Sequence, residues 1–334
     1  VAIADAGVKN RDMTCLALVL AGLLLATVSA TGSAGPAGAG SRPATQPRGD
    51  LRVVNFNILH GIFCDDGSNC QAPDRVDLFF RQLEAARCPH VVGLQEVNDN
   101  LRSLIRARLP SLCGGRYRAV FADVEGNDKE YVLTTLPAAY PKVLALPGGL
   151  RSASRVELRS ELGPVVLVVT HQDGDRTFPS CRNDIDRYRC PKPCPEGTTF
   201  ATCQTILGER LAEAGGGTRT IRIYMGDFNV PAGNPRYAAL VAHGWVDTHL
   251  AASNPECDPA TGAQCTSGRV DNAIAALKDP NARETERIDF IFVKVPARCG
   301  ATFDGAADLD GDGVGTGLFA ATPALEGPGG IVWP

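Results

Sequence analysis

The stretch Thr220-Ile-Arg-Ile-Tyr-Met-Gly-Asp-Phe-Asn-Val-Pro231 decides how this chain is read. Its first half is rich in β-branched and aromatic residues and predicts a strand over Thr220–Met225 that ends at Gly226-Asp227. Asp227 and Asn229 are two residues apart, a spacing that in extended chain sends both side chains to one face. Gly226 permits close backbone approach or an unusual dihedral. An ordinary Asp-Asn turn fits the same residues, so the stretch gains weight only from what surrounds it.

Four further motifs repeat the pattern of a polar group closing an apolar run. They are Asn57 in Val53-Val-Asn-Phe-Asn-Ile-Leu-His-Gly61, Glu96 in Gly93-Leu-Gln-Glu-Val97, His171 in Val168-Val-Thr-His-Gln-Asp173, and Asp289 in Glu286-Arg-Ile-Asp-Phe-Ile-Phe-Val293. Each has a plain alternative: a helix N-terminal acid for Glu96, a backbone-bonded histidine for His171, a satisfied sheet amide for Asn57. Asp289 sits in an apolar strand and needs a partner, a histidine or arginine being the obvious one. Together, carboxylates, amides and a histidine at strand ends suit a hard divalent cation and a phosphate.

Other elements follow from periodicity. Strands are expected at 51–58, 91–94, 117–121, 131–136, 142–146, 155–158, 164–170 and 288–293. Helices are expected from Asp74 as cap, around Leu101–Ile105, over Phe200–Ala214, and from Asn234 or Pro235 to Ala242. Strand runs without intervening helices argue for two packed sheets with helices outside rather than a doubly wound parallel sheet.

The chain has 334 residues, 44% of them apolar and 21% charged, enough for one large domain plus an export segment. A net charge of −4 gives no global basic field that would draw it onto nucleic acid. The apolar run Cys15–Ala30 is short for a membrane span and follows Lys9 and Arg11, as an export signal requires. Residues 1–34 are read as the export region, with cleavage after Ala30 or Ala34. Residues 35–50, rich in Gly, Ala, Pro and Ser, are read as a linker, and 51–334 as one domain. No stable membrane span is expected in the mature chain, which is read as secreted.

Cysteines agree with that compartment. Of 12 in the sequence, 11 remain once Cys15 is set aside, an odd number. Cys64 with Cys70, and Cys257 with Cys265, could each close a short loop. Cys181, Cys190, Cys194 and Cys203 lie in a Pro-rich insert at 181–203, where bridges or a zinc site would fit.

The ordered motif set resembles the endonuclease/exonuclease/phosphatase superfamily, the DNase I-like fold, over about Leu51–Pro334; Leu-Gln-Glu and Gly-Asp-Phe-Asn are its most specific parts. The resemblance implies a four-layer α/β sandwich, with two packed mixed β-sheets flanked by helices. It implies phosphoester hydrolysis with Mg2+, Mn2+ or Ca2+. It makes Glu96 a metal ligand with Asn57 beside it, and gives His171 the scissile phosphate. Asp227 activates water or the leaving group, Asn229 contacts phosphate, and Asp289 orients a general base. Glu130 would brace His171.

The family closes its site with a Ser-Asp-His motif, whereas this sequence stops at Gly329-Gly-Ile-Val-Trp-Pro334; His243 and His249 are poor substitutes. The sequence is therefore expected to be C-terminally incomplete, and the chain ending at Pro334 nearly inactive, since losing a general base costs on the order of 10²–10⁴ in rate. Asp308, Asp310 and Asp312 resemble the first half of a calcium loop, though its twelfth position is Phe319, and an acidic turn fits as well. A nuclease is slightly preferred, on Arg182, Arg187 and Arg189 of the insert. A phospholipid (sphingomyelinase-like) or small-metabolite phosphoesterase is the alternative, as is a non-catalytic binding protein if Pro334 is the true end.

Overall fold

The computed structural model describes residues 3–9, 50–62, 64–65, 67–120, 129–148, 150–175, 194, 198–268, 274–279, 284–296 and 302–304. The apolar run at 15–30, Arg182, Arg187, Arg189, Cys181, Cys190 and the acidic loop Asp308–Asp312 lie outside them.

Two six-stranded mixed sheets form the centre. The first contains β1 (Ile3–Lys9), β2 (Asp50–Asn57), β3 (Val91–Gln95), β4 (Arg118–Val120), β5 (Tyr131–Thr134) and β12 (Thr302–Asp304), in the order β12-β1-β2-β3-β5-β4. The second contains β6 (Ala138–Ala145), β7 (Ser152–Ser160), β8 (Gly163–His171), β9 (Ile221–Asp227), β10 (Val246–Asp247) and β11 (Asp289–Lys294), in the order β10-β11-β9-β8-β7-β6. β2 runs parallel to β3, and β8 parallel to β9; the other pairs are antiparallel. β1 comes from the segment that the export reading assigns to the leader, so residence in the sheet and removal are alternatives for the same residues.

Helices α1 (Ala72–Ala85) and α2 (Asp99–Arg108) cover the first sheet, and α3 (Phe200–Glu213) and α4 (Pro235–Ala242) the second. The short α5 (Thr248–Ala251) and α6 (Ile274–Lys278) complete the α-helices among the described residues. α1 begins two residues before the expected cap: Gln71 is its N-cap, and Asp74 lies in the first turn, where it favours the helix dipole. β6 starts earlier than its pattern suggests because it bulges between Ala139 and Lys142, around Pro141, which cannot donate to a ladder.

Strand parity sorts the core. Val54, Phe56, Val92 and Leu94 turn toward α1 and α2. Leu51, Val53 and Val91 turn toward the second sheet and meet Val165, Leu167, Val169, Ile221, Ile223, Met225, Ile291 and Val293. Gly93 belongs to this interlayer; a Cβ there would lie 2.3 Å from Met225 Cε. Behind the second sheet, Tyr224, Phe228, Trp245, Phe290 and Phe292 pack with Ala212 of α3 and Leu240 of α4.

Candidate functional site

At one end of the interlayer the same parity turns polar. Asn55 and Asn57 continue the face of Leu51 and Val53, Gln95 that of Val91, His171 that of Val169, and Asp227 that of Met225; antiparallel β11 begins with Asp289 on the face of Ile291. Register locks them side by side: Asn57 opposite Gln95, His171 opposite Asp227, and Asp227 opposite Asp289. All of these side chains are buried.

Asn57 links the two sheets. Its Nδ2 donates to Glu96 Oε1 at 2.9 Å and to Asp227 Oδ2 at 3.1 Å. Its Oδ1 accepts from Leu59 N at 3.0 Å, so the amide presents its hydrogens to the acids. Glu96, one residue past β3, adopts φ 61°, a left-handed conformation that costs a non-glycine residue on the order of 1–2 kcal/mol. Such strain at a loop acid is a functional pointer.

Asp227 is the hub. Its Oδ2 lies 3.5 Å from His171 Nε2, and its Oδ1 accepts from Asn229 N at 2.8 Å. β9 ends at Asp227 and Asn229 has φ 52°, so the two residues meet through a side-chain-capped turn rather than through extended chain. Asn229 Nδ2 donates to the Gln172 carbonyl at 2.7 Å and lies 3.0 Å from His171 Nε2. Gly226 is required here: a Cβ would fall 1.8 Å from the Thr170 carbonyl oxygen.

Asp289 accepts from Asn55 Nδ2 at 3.1 Å, and Gln95 Nε2 donates to Asn55 Oδ1 at 2.8 Å. Burial, and next the neighbouring Asp227 charge, push the Asp289 carboxyl well above the ordinary range, while the Thr266 hydroxyl pulls the other way. Its partners are thus an amide and a hydroxyl rather than the expected histidine or arginine. Glu130, just before β5, receives the Ser152 hydroxyl of β7.

Three residues at the site were not singled out from sequence. His60 N donates to Glu96 Oε2 at 2.9 Å, and its Nε2 lies 3.7 Å from the same oxygen. Fully buried Arg75 donates to the carbonyls of Ile58, Leu59, Asn69 and Cys70, which shapes the loop that carries His60. Burial lowers its pKa to about 10, with Glu96 opposing. Arg151 approaches His171 Nδ1 at 2.7 Å. His243 and His249 are engaged elsewhere, with Glu209 and with the Pro255 carbonyl respectively. Among the described residues, no group of three or more His, Cys, Asp or Glu side chains could hold a metal by itself.

Four disulfides are described: Cys64–Cys70, Cys88–Cys113, Cys194–Cys203 and Cys257–Cys265. Two are the expected short loops, and a third pairs Cys194 with Cys203 of the insert. No helix among the described residues is long and apolar enough to cross a membrane.

Two packed mixed sheets between helix layers, with a polar cluster at one end of the interlayer, define the DNase I-like fold. The chain belongs to the endonuclease/exonuclease/phosphatase family, whose sequence model matches residues 54–307. No curated protein matches the sequence significantly. Among solved structures, the mannosyl-6-phosphatase of Bacteroides thetaiotaomicron is 16% identical, covering 74% of this chain and 86% of that one, with a TM-score of 0.52. A second family protein from Bacteroides thetaiotaomicron is 16% identical over 73% of this chain and 82% of that one, also at 0.52. Truncated Caenorhabditis elegans TDP2 is 19% identical over 73% of this chain and 83% of that one, at 0.48.

Proposed function

We propose that this protein hydrolyses a phosphoester with the help of a hard divalent cation, Mg2+ first among candidates, outside the cytoplasm. The observation that carries the reading is the Asn57 amide shared by the Glu96 and Asp227 carboxylates, with His171 and Asn229 against the second acid. Acids gathered this closely, Asp227 buried and Glu96 partly so, call for positive charge, and their oxygens suit Mg2+, which keeps several waters and needs few protein ligands.

Glu96 would hold the cation, with Asn57 beside it orienting the carboxylate. A cation bound there would supply Lewis-acid stabilisation of the phosphoryl oxygens. His171 and Asn229 offer N–H donors to those oxygens. Asp227, bonded to both sides of this cluster, would help activate water or receive the leaving oxygen. Asp289, one ladder position away, would orient a base. A nucleic-acid phosphodiester is the finer reading, supported by sequence through Arg182, Arg187 and Arg189. The disulfides support an oxidising compartment.

The test is hydrolysis of bis(p-nitrophenyl) phosphate, p-nitrophenyl phosphate and DNA by the full-length protein, with and without EDTA. Hydrolysis that chelator abolishes and Mg2+ restores, and that Asp227→Asn and His171→Gln remove, is the expected result. Turnover indifferent to chelator would overturn the reading.

A further inference from the structure

Arg151 precedes β7, and its backbone is fixed by the β6–β7 hairpin, where Leu146 N donates to the Arg151 carbonyl at 2.9 Å. Its side chain reaches across to β8. Nη1 lies 2.7 Å from His171 Nδ1, and Nε donates to Asp173 Oδ1 at 3.0 Å. Asp173 is itself held on two sides by Gln204 of α3. Its Oδ2 accepts from Gln204 Nε2 at 2.6 Å, and its backbone N donates to Gln204 Oε1 at 2.8 Å. The guanidinium therefore has a buttress extending to a helix on the far side of the sheet.

A guanidinium carries only donors and does not lose its proton in a protein. His171 Nδ1 must then be the acceptor, which leaves the ring proton on Nε2. The hydrogen bond that one ring nitrogen makes sets whether the other carries the proton. Nε2 lies 3.5 Å from Asp227 Oδ2, which can accept that proton; Asn229 Nδ2, 3.0 Å away, is itself a donor and gives a hydrogen to the Gln172 carbonyl at 2.7 Å, so it competes with Asp227 for Nε2 less closely than Arg151 holds Nδ1. Arg151 thus turns His171 into a neutral Nε2–H donor, placed next to the Asn229 amide.

We propose that Arg151 is a positioning residue: it fixes the Nε2–H form of His171 through the Gln204–Asp173–Arg151 chain and so sets the donor that meets a substrate phosphate. The spectroscopic arm of its test stands apart from the phosphoesterase reading, on which only the kinetic arm rests.

The experiment is 15N NMR of the imidazole nitrogens in histidine-labelled full-length protein at neutral pH, with His171→Gln used to assign the His171 signals among five histidines. Wild type should show one Nε2–H ring at His171. Arg151→Met, which keeps an unbranched apolar stem and removes every donor, should give a mixture of tautomers; Arg151→Lys should restore much of the Nε2–H form. Asp173→Asn serves as a second variant that loosens the guanidinium without removing it, and should give an intermediate mixture. On a phosphoester the Met variant should lose about 10- to 100-fold in kcat, the scale seen when the outer partner of a site histidine is removed, with KM little changed and the Lys variant largely rescued. An Nδ1–H or doubly protonated ring in wild type, or an unchanged tautomer in folded Arg151→Met, overturns the proposal whether or not any substrate is turned over. A shifted tautomer with unaltered kcat overturns its role in the reaction.

Discussion

Asp227 and Asp289 are register partners across the β9/β11 ladder, and both are buried. Burial first and the Asp227 charge second raise the Asp289 carboxyl. A raised folded value means that the folded state retains a proton which the unfolded chain releases. Stability from this group is full below the unfolded value, about 4, and declines as pH climbs above it. Asp289→Asn should remove that decline. In urea denaturation with chelator present, the variant's advantage should be small at pH 4.5 and grow toward pH 7.5 by about 1.4 kcal/mol for each unit by which the wild-type value is raised. A variant that loses stability relative to wild type as pH rises would show that Asp289 is stabilised as a carboxylate.

Gly226 and Gly93 are both crowded, but by different atoms. A Cβ at Gly226 would meet the carbonyl of Thr170, its own ladder partner, at 1.8 Å. At Gly93 the nearest atom is Met225 Cε, at 2.3 Å, the end of a flexible side chain, with Val169 Cγ2 at 2.9 Å. Backbone cannot retreat without breaking β8–β9 pairing, whereas methionine can swing aside. Gly226→Ala should cost about 4 kcal/mol or more, within the exceptional class, and Gly93→Ala about 1–3 kcal/mol. Equal losses in denaturant would contradict this difference.

The fold was legible because interlayer strands must be apolar, and the site because polar residues interrupt that rule at one end. Asn57, Glu96, His171 and Asp227 each close an apolar run in sequence and Asp289 opens one, and five strands bring them to one place. Asn229 joins Asp227 through a turn, not through the shared strand face that its two-residue spacing suggests. Arg151 carried no such mark. It sits between Leu150 and Ser152 in a hairpin, and its meeting with His171 depends on the β7–β8 register and on the reach of a long side chain. Arg75 resembles any helix arginine until its carbonyl partners are seen. β10 and α5, of two and four residues, are too short for any period to show.

Cys88 and Cys113 tie the end of α1 to the turn after α2 across 25 residues. The loop-closure estimate gives this bridge about 3.5 kcal/mol, against about 2 kcal/mol for a six-residue loop such as Cys64–Cys70. Replacing both Cys88 and Cys113 by alanine should therefore lower stability more than replacing Cys64 and Cys70, as read by urea midpoints under oxidising conditions. The reverse order would mean that the short bridge acts chiefly by holding the His60 loop.

His249 is buried, and burial lowers its pKa below the ordinary histidine value. Here the depressed folded value works against protonation. The stability tied to the neutral ring is present above about 6.5 and is lost as pH falls through the lowered folded value. His249→Gln should flatten the fall in melting temperature between pH 7 and pH 5. A wild-type and variant pair whose curves stay parallel across that range would exclude His249 as a source of acid sensitivity.

The Asn57 amide offers a readout of cation binding that needs no substrate. One nitrogen serves Glu96 Oε1 and Asp227 Oδ2. Asn57→Asp removes that donor and sets a third carboxylate between two others. Like charges this close should cost the cation-free protein about 2–3 kcal/mol, a fall of about 3–5 °C in Tm for a chain of this length. The same substitution adds a hard oxygen ligand, so millimolar Mg2+ should return more of the melting temperature to the variant than it adds to wild type, by mass action on the folded state. Thermal melts with EDTA and with Mg2+ measure both numbers. A variant as stable as wild type in EDTA, or one deaf to Mg2+, would mean that Asn57 does not stand between two charged acids at a cation site.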